Sequence, residues 1–406
     1  MRYIEEKLTT EIKYDCDVLV AGGGFGGIAA AIAAAREGKS VILMDRGFML
    51  GGLATAGLVT IYLPLCDGFG NQVSFGLAEE LFRLSVSECC NGKRGIANWI
   101  MSDDKTKRGE GFPRFEADFN PQIFAILAEQ KLVSMGVKLL YGTCAVAVNK
   151  CGDKISEVIA ENKSGRFAVA TKAVVDATGD ADIAHFADAP TVNFGQGNVL
   201  AAWYYSNTGE RGYQLHTLGA SDVPDEEQAK GKKASARLVD RRFAGLDGEE
   251  ISEMCVLSHA STLNDLRRRR EKEPNIEPAT IATIPQLRMT RRIDGEYTLA
   301  ADEMHKYFED SIGMVSDWRK RGPVYEVPFR TLYSKAVKNL IMAGRCTSVT
   351  DGMWDIMRVI PCCAITGEAA GLAAAMTDDF SALVVPELQR RLISHGGVLH
   401  EKDLKI

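Results

Sequence analysis

Residues Val18–Gly47 read VLVAGGGFGGIAAAIAAAREGKSVILMDRG, and this stretch decides the fold. An apolar run ends in glycines, an alanine-rich run follows as far as Arg36, Gly38 closes it, and a second apolar run ends at Asp45. The order predicts strand, helix, strand, a βαβ unit. Gly22, Gly24 and Gly27 set G-x-G-x-x-G directly after the first strand and at the opening of the helix, the context in which the pattern has a mechanism. Gly22 makes the tight turn, Gly24 lets backbone approach a pyrophosphate, and Gly27 lets the helix pack closely on the strand. The alanines between Ala29 and Ala35 keep that helix near the sheet. Asp45 stands where a carboxylate accepts hydrogen bonds from ribose hydroxyls, and the free N–H groups of the helix N-terminus face phosphate. The stretch predicts a dinucleotide site and leaves open which dinucleotide.

The bulk properties set the surroundings. A chain of 406 residues, 46% hydrophobic, is long enough for a nucleotide domain and a second lobe. A net charge of −6 offers no footprint for a polyanion, so no nucleic-acid partner is expected. Ten cysteines are scattered and include the adjacent pairs Cys89–Cys90 and Cys362–Cys363, which suits reduced thiols and a cytoplasmic protein better than a disulfide framework. The opening MRYIEEKLTTEIKYDCD has no apolar signal core and no run spans a bilayer, so neither export nor a membrane is expected. There is no C-x-x-C, and the six histidines, at 185, 216, 259, 305, 395 and 400, show no metal spacing, so no metal is expected.

The next segment, RGFMLGGLATAGLVT (46–60), bears on the choice of dinucleotide, together with AVVDATGDADIAHFADAP (173–190), LRMTRRIDGEYTL (287–299) and NLIMAGRCTSVTDGMWDIMRVIPCCAITGEAAGLAAAM (339–376). These stretches resemble the FAD-dependent oxidoreductases of the broad glutathione-reductase structural class, and specifically the bacterial family known simply as FAD-dependent oxidoreductase. The family usually has Arg-Glu-Ser before the arginine pair, where this chain has Arg-Met-Thr. It more often carries Gln where Glu368 stands. The resemblance implies FAD as cofactor and an α/β fold: a Rossmann-like, discontinuous FAD-binding domain with a parallel central sheet, and an inserted mixed α+β substrate lobe. The expected domain segments are 14–60, 114–190 and 331–380; the inserted substrate or cap lobe is 61–113 and 191–330; 381–406 forms a C-terminal helical tail.

On the same resemblance, Gly51 and Gly52 bring backbone to the flavin-side phosphate, with Thr55 in the neighbouring turn. Ala177, Thr178, Gly179 and Asp180 form a second contact motif, and Gly344 and Arg345 a last one. Phe25, Gly26, Arg46 and Ala145 complete the expected cofactor contacts. Asp351 joins them from the loop before the last helix, where side chains commonly reach a ligand.

The absence of a second strand-linked G-x-G-x-x-G argues against tandem FAD and nicotinamide domains. The flavin carries the chemistry and protein groups orient it and move protons. Arg358, just before the last helix, is a candidate for a fixed positive charge at the flavin; Arg291, with Arg288 and Arg292, for clamping an anionic substrate; His185 for proton transfer. Cys346 reads as a small buried cysteine, and Trp203, Tyr204 and Tyr205 as core of an inserted sheet. The function expected is hydride transfer between flavin N5 and a small organic substrate, with the electron partner open and a homo-oligomer compatible with the sequence. An RNA-modifying flavin methyltransferase and an FAD-bound non-catalytic subunit are the alternatives.

Overall fold

The computed structural model describes residues 2–88, 116–207, 212–219 and 237–404. Cys89 and Cys90, the rest of the first insertion through 113, and the charged run 225–236 lie outside them. In chain order, β1 (Ile12–Ala21), α1 (Phe25–Arg36) and β2 (Val41–Met44) form the βαβ unit. They are followed by β3 (Ile61–Tyr62), α2 (Leu77–Val86), β4 (Ala117–Asp118), α3 (Pro121–Ser134), β5 (Lys138–Leu140), β6 (Cys144–Cys151), β7 (Lys154–Asn162), β8 (Gly165–Asp176) and α4 (Asp182–Phe186). The inserted lobe contributes β9 (Thr191–Asn193), β10 (Ala202–Asn207), β11 (Tyr213–Leu218), α5 (Gly248–Arg270), β12 (Glu277–Ile281) and β13 (Arg291–Ile293). The chain ends with β14 (Ser311–Ser316), β15 (Val324–Pro328), β16 (Leu340–Met342), α6 (Asp351–Met357), α7 (Ile360–Met376) and α8 (Val385–Ser394).

The central sheet runs β5-β2-β1-β8 in parallel, and β16 adds a further parallel strand on β8. It is mixed rather than wholly parallel. The C-terminal end of β8 (Val174–Asp176) pairs with β16, whereas its N-terminal half pairs antiparallel with β7, which continues to β6. The two faces alternate as strand geometry requires: Val18, Val20, Val175 and Ile341 enter one core with α1 and α7, and Leu19, Ala21, Val174 and Met342 enter another with α4.

Segments expected in a separate lobe belong partly to the main core. Tyr62 of β3 and Leu77, Leu81 and Phe82 of α2 share the cluster built on α1 and α7. The β14–β15 hairpin and α8 also pack on α7. The remaining lobe is an antiparallel sheet, β11-β10-β12, backed by α5, in which the Tyr204 hydroxyl donates to Asp265 at 2.7 Å. No single helix among the described residues is long and apolar enough to cross a membrane.

What sets the position of everything else is the contact between α1 and α7. A Cβ at Gly367 would stand 2.2 Å from the Gly26 carbonyl oxygen, and one at Gly371 would stand 2.1 Å from that of Ala30. The two helices therefore touch backbone to backbone. Gly371→Ala is expected to destabilise the protein by about 1–3 kcal/mol in denaturant unfolding, because the added methyl has no room and the helices must part.

Glu368 lies between these two glycines and is 3% exposed. Its Oε2 accepts from the Leu77 backbone N–H at 2.8 Å, tying α7 to the first turn of α2, while Oε1 is buried without a partner. Burial raises its pKa from 4.5 to about 7. A carboxyl raised on folding stabilises while protonated, so stability should fall as pH rises from the ordinary carboxylate range through about 7. Glu368→Gln is expected to flatten this part of the stability–pH profile and to be the more stable form above it, measured by thermal unfolding across pH.

Candidate functional site

The chain leaves β1 at Ala21 and turns at Gly22, whose φ is +106° and where a Cβ would lie 2.3 Å from the Ala177 carbonyl oxygen. Only glycine fits. Gly24 caps α1 in an extended conformation, and a Cβ there would meet nothing within 4 Å. Its open side is the approach a phosphate needs at a helix N-terminus. Gly27 packs on the turn itself, since its Cβ would fall 1.8 Å from the Gly22 oxygen. Gly51, left-handed at φ +102°, donates its N–H to the Gly23 oxygen at 2.8 Å and so fastens the second glycine pair to the first loop. Asp45 at the end of β2 accepts from Gly23 N–H and Gly47 N–H, both at 2.6 Å, which fixes its carboxylate and leaves lone pairs for further donors.

These loops open on a cavity of about 780 Å³, of the size that holds a large organic ligand. One end is bordered by Asp45, Arg46, Phe48 and Cys144; the middle by the glycine loops, the Ala177–Asp180 turn and Gly344–Arg345; the far end by Val59, Ile61, Leu63, Leu287, Arg288 and the N-terminus of α7 with Arg358. Asp176 shapes the middle from behind. It is fully buried, accepts from Thr178 and from Ala184 N–H, and burial raises its carboxyl to about 6.

Two observations say what fits. Arg345 donates Nη2 to Asp180 at 3.2 Å, but its Nη1 is buried without a partner. Gly24 leaves space where any side chain would intrude. A cation lacking one acceptor, beside a helix N-terminus stripped of side chains, matches the pyrophosphate of a dinucleotide, and the cavity continues far enough to take both of its ends.

Among the residues expected from sequence, Gly22, Gly24, Phe25, Gly26, Asp45, Arg46, Gly51, Gly52, the Ala177–Asp180 turn, Gly344, Arg345 and Arg358 line this cavity. Others do not. Gly27 serves helix packing. Thr55 is buried and donates its hydroxyl to the Leu50 oxygen at 2.6 Å, bracing the Gly51 turn from behind. Ala145 misses by one residue: alternation along β6 gives the lining position to Cys144. Asp351 opens α6, where a loop was expected, and is exposed, accepting from Gly195 N–H at 3.3 Å.

Arg291 binds Asp182 at 2.8 Å and the Asp180 oxygen at 3.0 Å, so it braces the turn rather than facing the cavity. His185 is exposed on α4. Cys346 is fully buried, and burial pushes its thiol far up, which makes it inert. Among the described residues no cluster of histidine, cysteine and acidic side chains could hold a metal. Phe48 and Cys144 carried no sequence signal for a site. The far-end wall had a weak one, the apolar Val59, Ile61 and Leu63 after the second glycine pair.

A family model described as FAD dependent oxidoreductase matches residues 17–201 and 212–392, nearly the whole chain. No curated protein matches the sequence. Solved structures similar to the chain include THI4 of Thermovibrio ammonificans (18% identity, TM-score 0.31, covering 45% of this chain and 66% of that one). A geranylgeranyl bacteriochlorophyll reductase-like protein of Thermoplasma acidophilum gives 13% identity and TM-score 0.45 over 95% of this chain and 84% of that one. The OxyS anhydrotetracycline hydroxylase of Streptomyces rimosus gives 11% and 0.41 over 93% and 65%. The chain thus spans just under two thirds of the length of the first and third of these.

Two substitutions separate folding from ligand binding at the glycine loop. Gly24→Ala should leave the ligand-free protein as stable as the parent and weaken dinucleotide binding at least about tenfold (~1.4 kcal/mol) in a fluorescence titration. Gly22→Ala should instead lower stability whether or not ligand is added. Phe48, 82% exposed at the cavity rim, is placed to cover a base. Phe48→Ala should cost about 1–3 kcal/mol of dinucleotide affinity with little change in stability.

Proposed function

The chain belongs to the FAD dependent oxidoreductase family, and from that premise we propose that it exchanges a hydride between the N5 position of FAD and a small organic substrate lodged at the far end of the cavity. The protein is an oxidoreductase with FAD as cofactor, and the lining of the cavity supports a set of residues to hold it. Gly22, Gly24, Gly51 and Gly344 would offer backbone to the phosphates, Arg345 would supply a charged donor to them, and Asp45 would accept from the ribose hydroxyls. Bound FAD supplies a two-electron acceptor and donor that takes up or gives back a hydride at N5.

What the chain adds at the other end is a positive field and a dry wall. Val359 and Ile360, the N-cap and first residue of α7, line the cavity, so the positive end of a 17-residue helix opens there. Arg358 adds a guanidinium held in place by Asp355, to which its Nε donates at 3.0 Å. Charge of this sign favours electrons arriving in the cavity. The apolar side chains Val59, Ile61 and Leu63 exclude water and leave room for carbon.

The observation that carries this reading is the continuity of one cavity from Asp45 to the α7 N-terminus and the apolar wall beyond it. The test is the visible spectrum of the purified protein before and after acid precipitation, with the released compound identified by mass. Flavin absorption that moves to the supernatant as FAD, and bleaches without oxygen on adding a reductant substrate, supports it. A protein that stays colourless after incubation with FAD overturns it. Arg358→Gln should make the flavin harder to reduce, by about 1–2 kcal/mol or roughly 20–45 mV for two electrons in a redox titration.

A further inference from the structure

The far end of the cavity is built from two apolar strips. Along the first, burial alternates with each residue: Val59, Ile61 and Leu63 line the cavity and are half-buried, whereas Thr60 and Tyr62 are fully buried behind them. The Thr60 and Tyr205 hydroxyls bond to each other at 2.7 Å, and the Tyr62 hydroxyl donates to the Ala78 oxygen at 2.6 Å, so the polar atoms of this strip are used up on the hidden side. Three side chains two residues apart on extended chain cover about 13 Å. The second strip is Ile284, Pro285 and Leu287. It is fastened to the turn that precedes the first: Thr283 N–H donates to the Ala56 oxygen at 2.8 Å, and Gln286 Nε2 to the Gly57 oxygen at 2.6 Å. The two strips thus form one pre-built apolar wall.

The polar groups at this end belong to the wall itself. Arg358 is held by Asp355, to which its Nε donates at 3.0 Å. Arg288, 8% exposed, gives Nη2 to the Gln286 side chain at 3.2 Å and lies 5.6 Å from the Trp203 ring centre. Burial works to raise the Asp355 carboxyl, yet Arg358, Arg319 and Arg288 together hold it below the ordinary carboxylate range, so an ionised carboxylate already answers these guanidiniums. Cys363 donates its thiol to the Arg358 oxygen at 3.4 Å, and burial pushes it up to about 12, which keeps it neutral. The acids among the described lining residues stand elsewhere, Asp45 at the opposite end and Asp180 in the middle.

A carboxylate or phosphate placed at this end would have to draw Arg358 from Asp355 or Arg288 from its support, and it would lose its water against side chains that offer no hydrogen bond. Hydrocarbon meets the same wall at a gain that grows with the area taken from water. Resting on the reading that the far end is the substrate site, we propose that the part of the substrate lodged there is an uncharged hydrocarbon skeleton longer than a single benzene ring, laid along Val59, Ile61 and Leu63 and held against Ile284, Pro285 and Leu287. These side chains set specificity by shape and by excluding ions, while the arginines stay with the wall and the cofactor.

The test is equilibrium dialysis of the purified FAD-containing protein with two matched pairs of probes: octanol with octanoate, and naphthalenemethanol with naphthoate. At least one alcohol is expected to bind about tenfold or more tightly than its carboxylate (~1.4 kcal/mol). Ile61→Ala and Leu63→Ala should each weaken that alcohol about fivefold or more, with FAD content unchanged by absorbance. A carboxylate that binds as tightly as its alcohol in both pairs, no binding of either alcohol, or alcohol affinity that survives both substitutions would each overturn the proposal. If one variant does not fold, the other and the comparison in the parent decide. Failure of the hydride-transfer reading would show separately, as alcohol-selective binding in a protein whose flavin no uncharged molecule reduces or reoxidises.

Discussion

Two helices that touch backbone to backbone hold this protein in register. Gly367 and Gly371 of α7 rest on the carbonyls of Gly26 and Ala30 of α1, and this contact aligns the helices so that both N-termini open on the same cavity. Helix N-termini carry partial positive charge and unpaired N–H groups. The molecule therefore presents one such end at the Gly24 loop and a second near Arg358. Alanine in α1 and glycine in α7 are the composition that so close an approach demands. A larger residue at these positions would move one end of the site relative to the other.

Much of this was legible because it is local. The βαβ unit between Val18 and Gly47 declares itself by spacing alone, and the structure reproduces it from the Gly22 turn to Asp45. The Ala177–Asp180 turn and the Gly344–Arg345 turn were legible by resemblance, since each follows directly on a strand. What failed depended on parity or on distant partners. Ala145 and Cys144 differ by one step along a strand, and only the observed register tells which faces the cavity. Arg291 looked like a substrate clamp because nothing in its own segment shows that Asp182, more than a hundred residues earlier, claims it. The segment 61–113 reads from sequence as an insertion, yet Tyr62 and Phe82, in its described part, complete the main core, a fact written in the shapes of α1 and α7 rather than in their own neighbourhood.

Polar groups buried around the site act as fixtures. Asp176 shapes the turn after β8 by accepting from backbone and side-chain donors of the turn it precedes. Asp355 holds Arg358 toward the cavity while Arg319 holds Asp355. Such supports place charged groups with few rotamers to lose when ligand arrives, which is how a site gains precision from residues that never touch its contents.

The long strand β8 is shared along its length between a local hairpin and a distant strand: β7 pairs with its first half, and β16, some 165 residues later, with its end. During synthesis the hairpin half can form early, whereas the end of β8 and the buried face of α1 wait for β16 and α7 to leave the ribosome. The cofactor cavity closes only when that late segment docks. FAD binding accordingly awaits the segment that carries β16 and α7, and α1 depends for its cover on a helix made more than 300 residues after it.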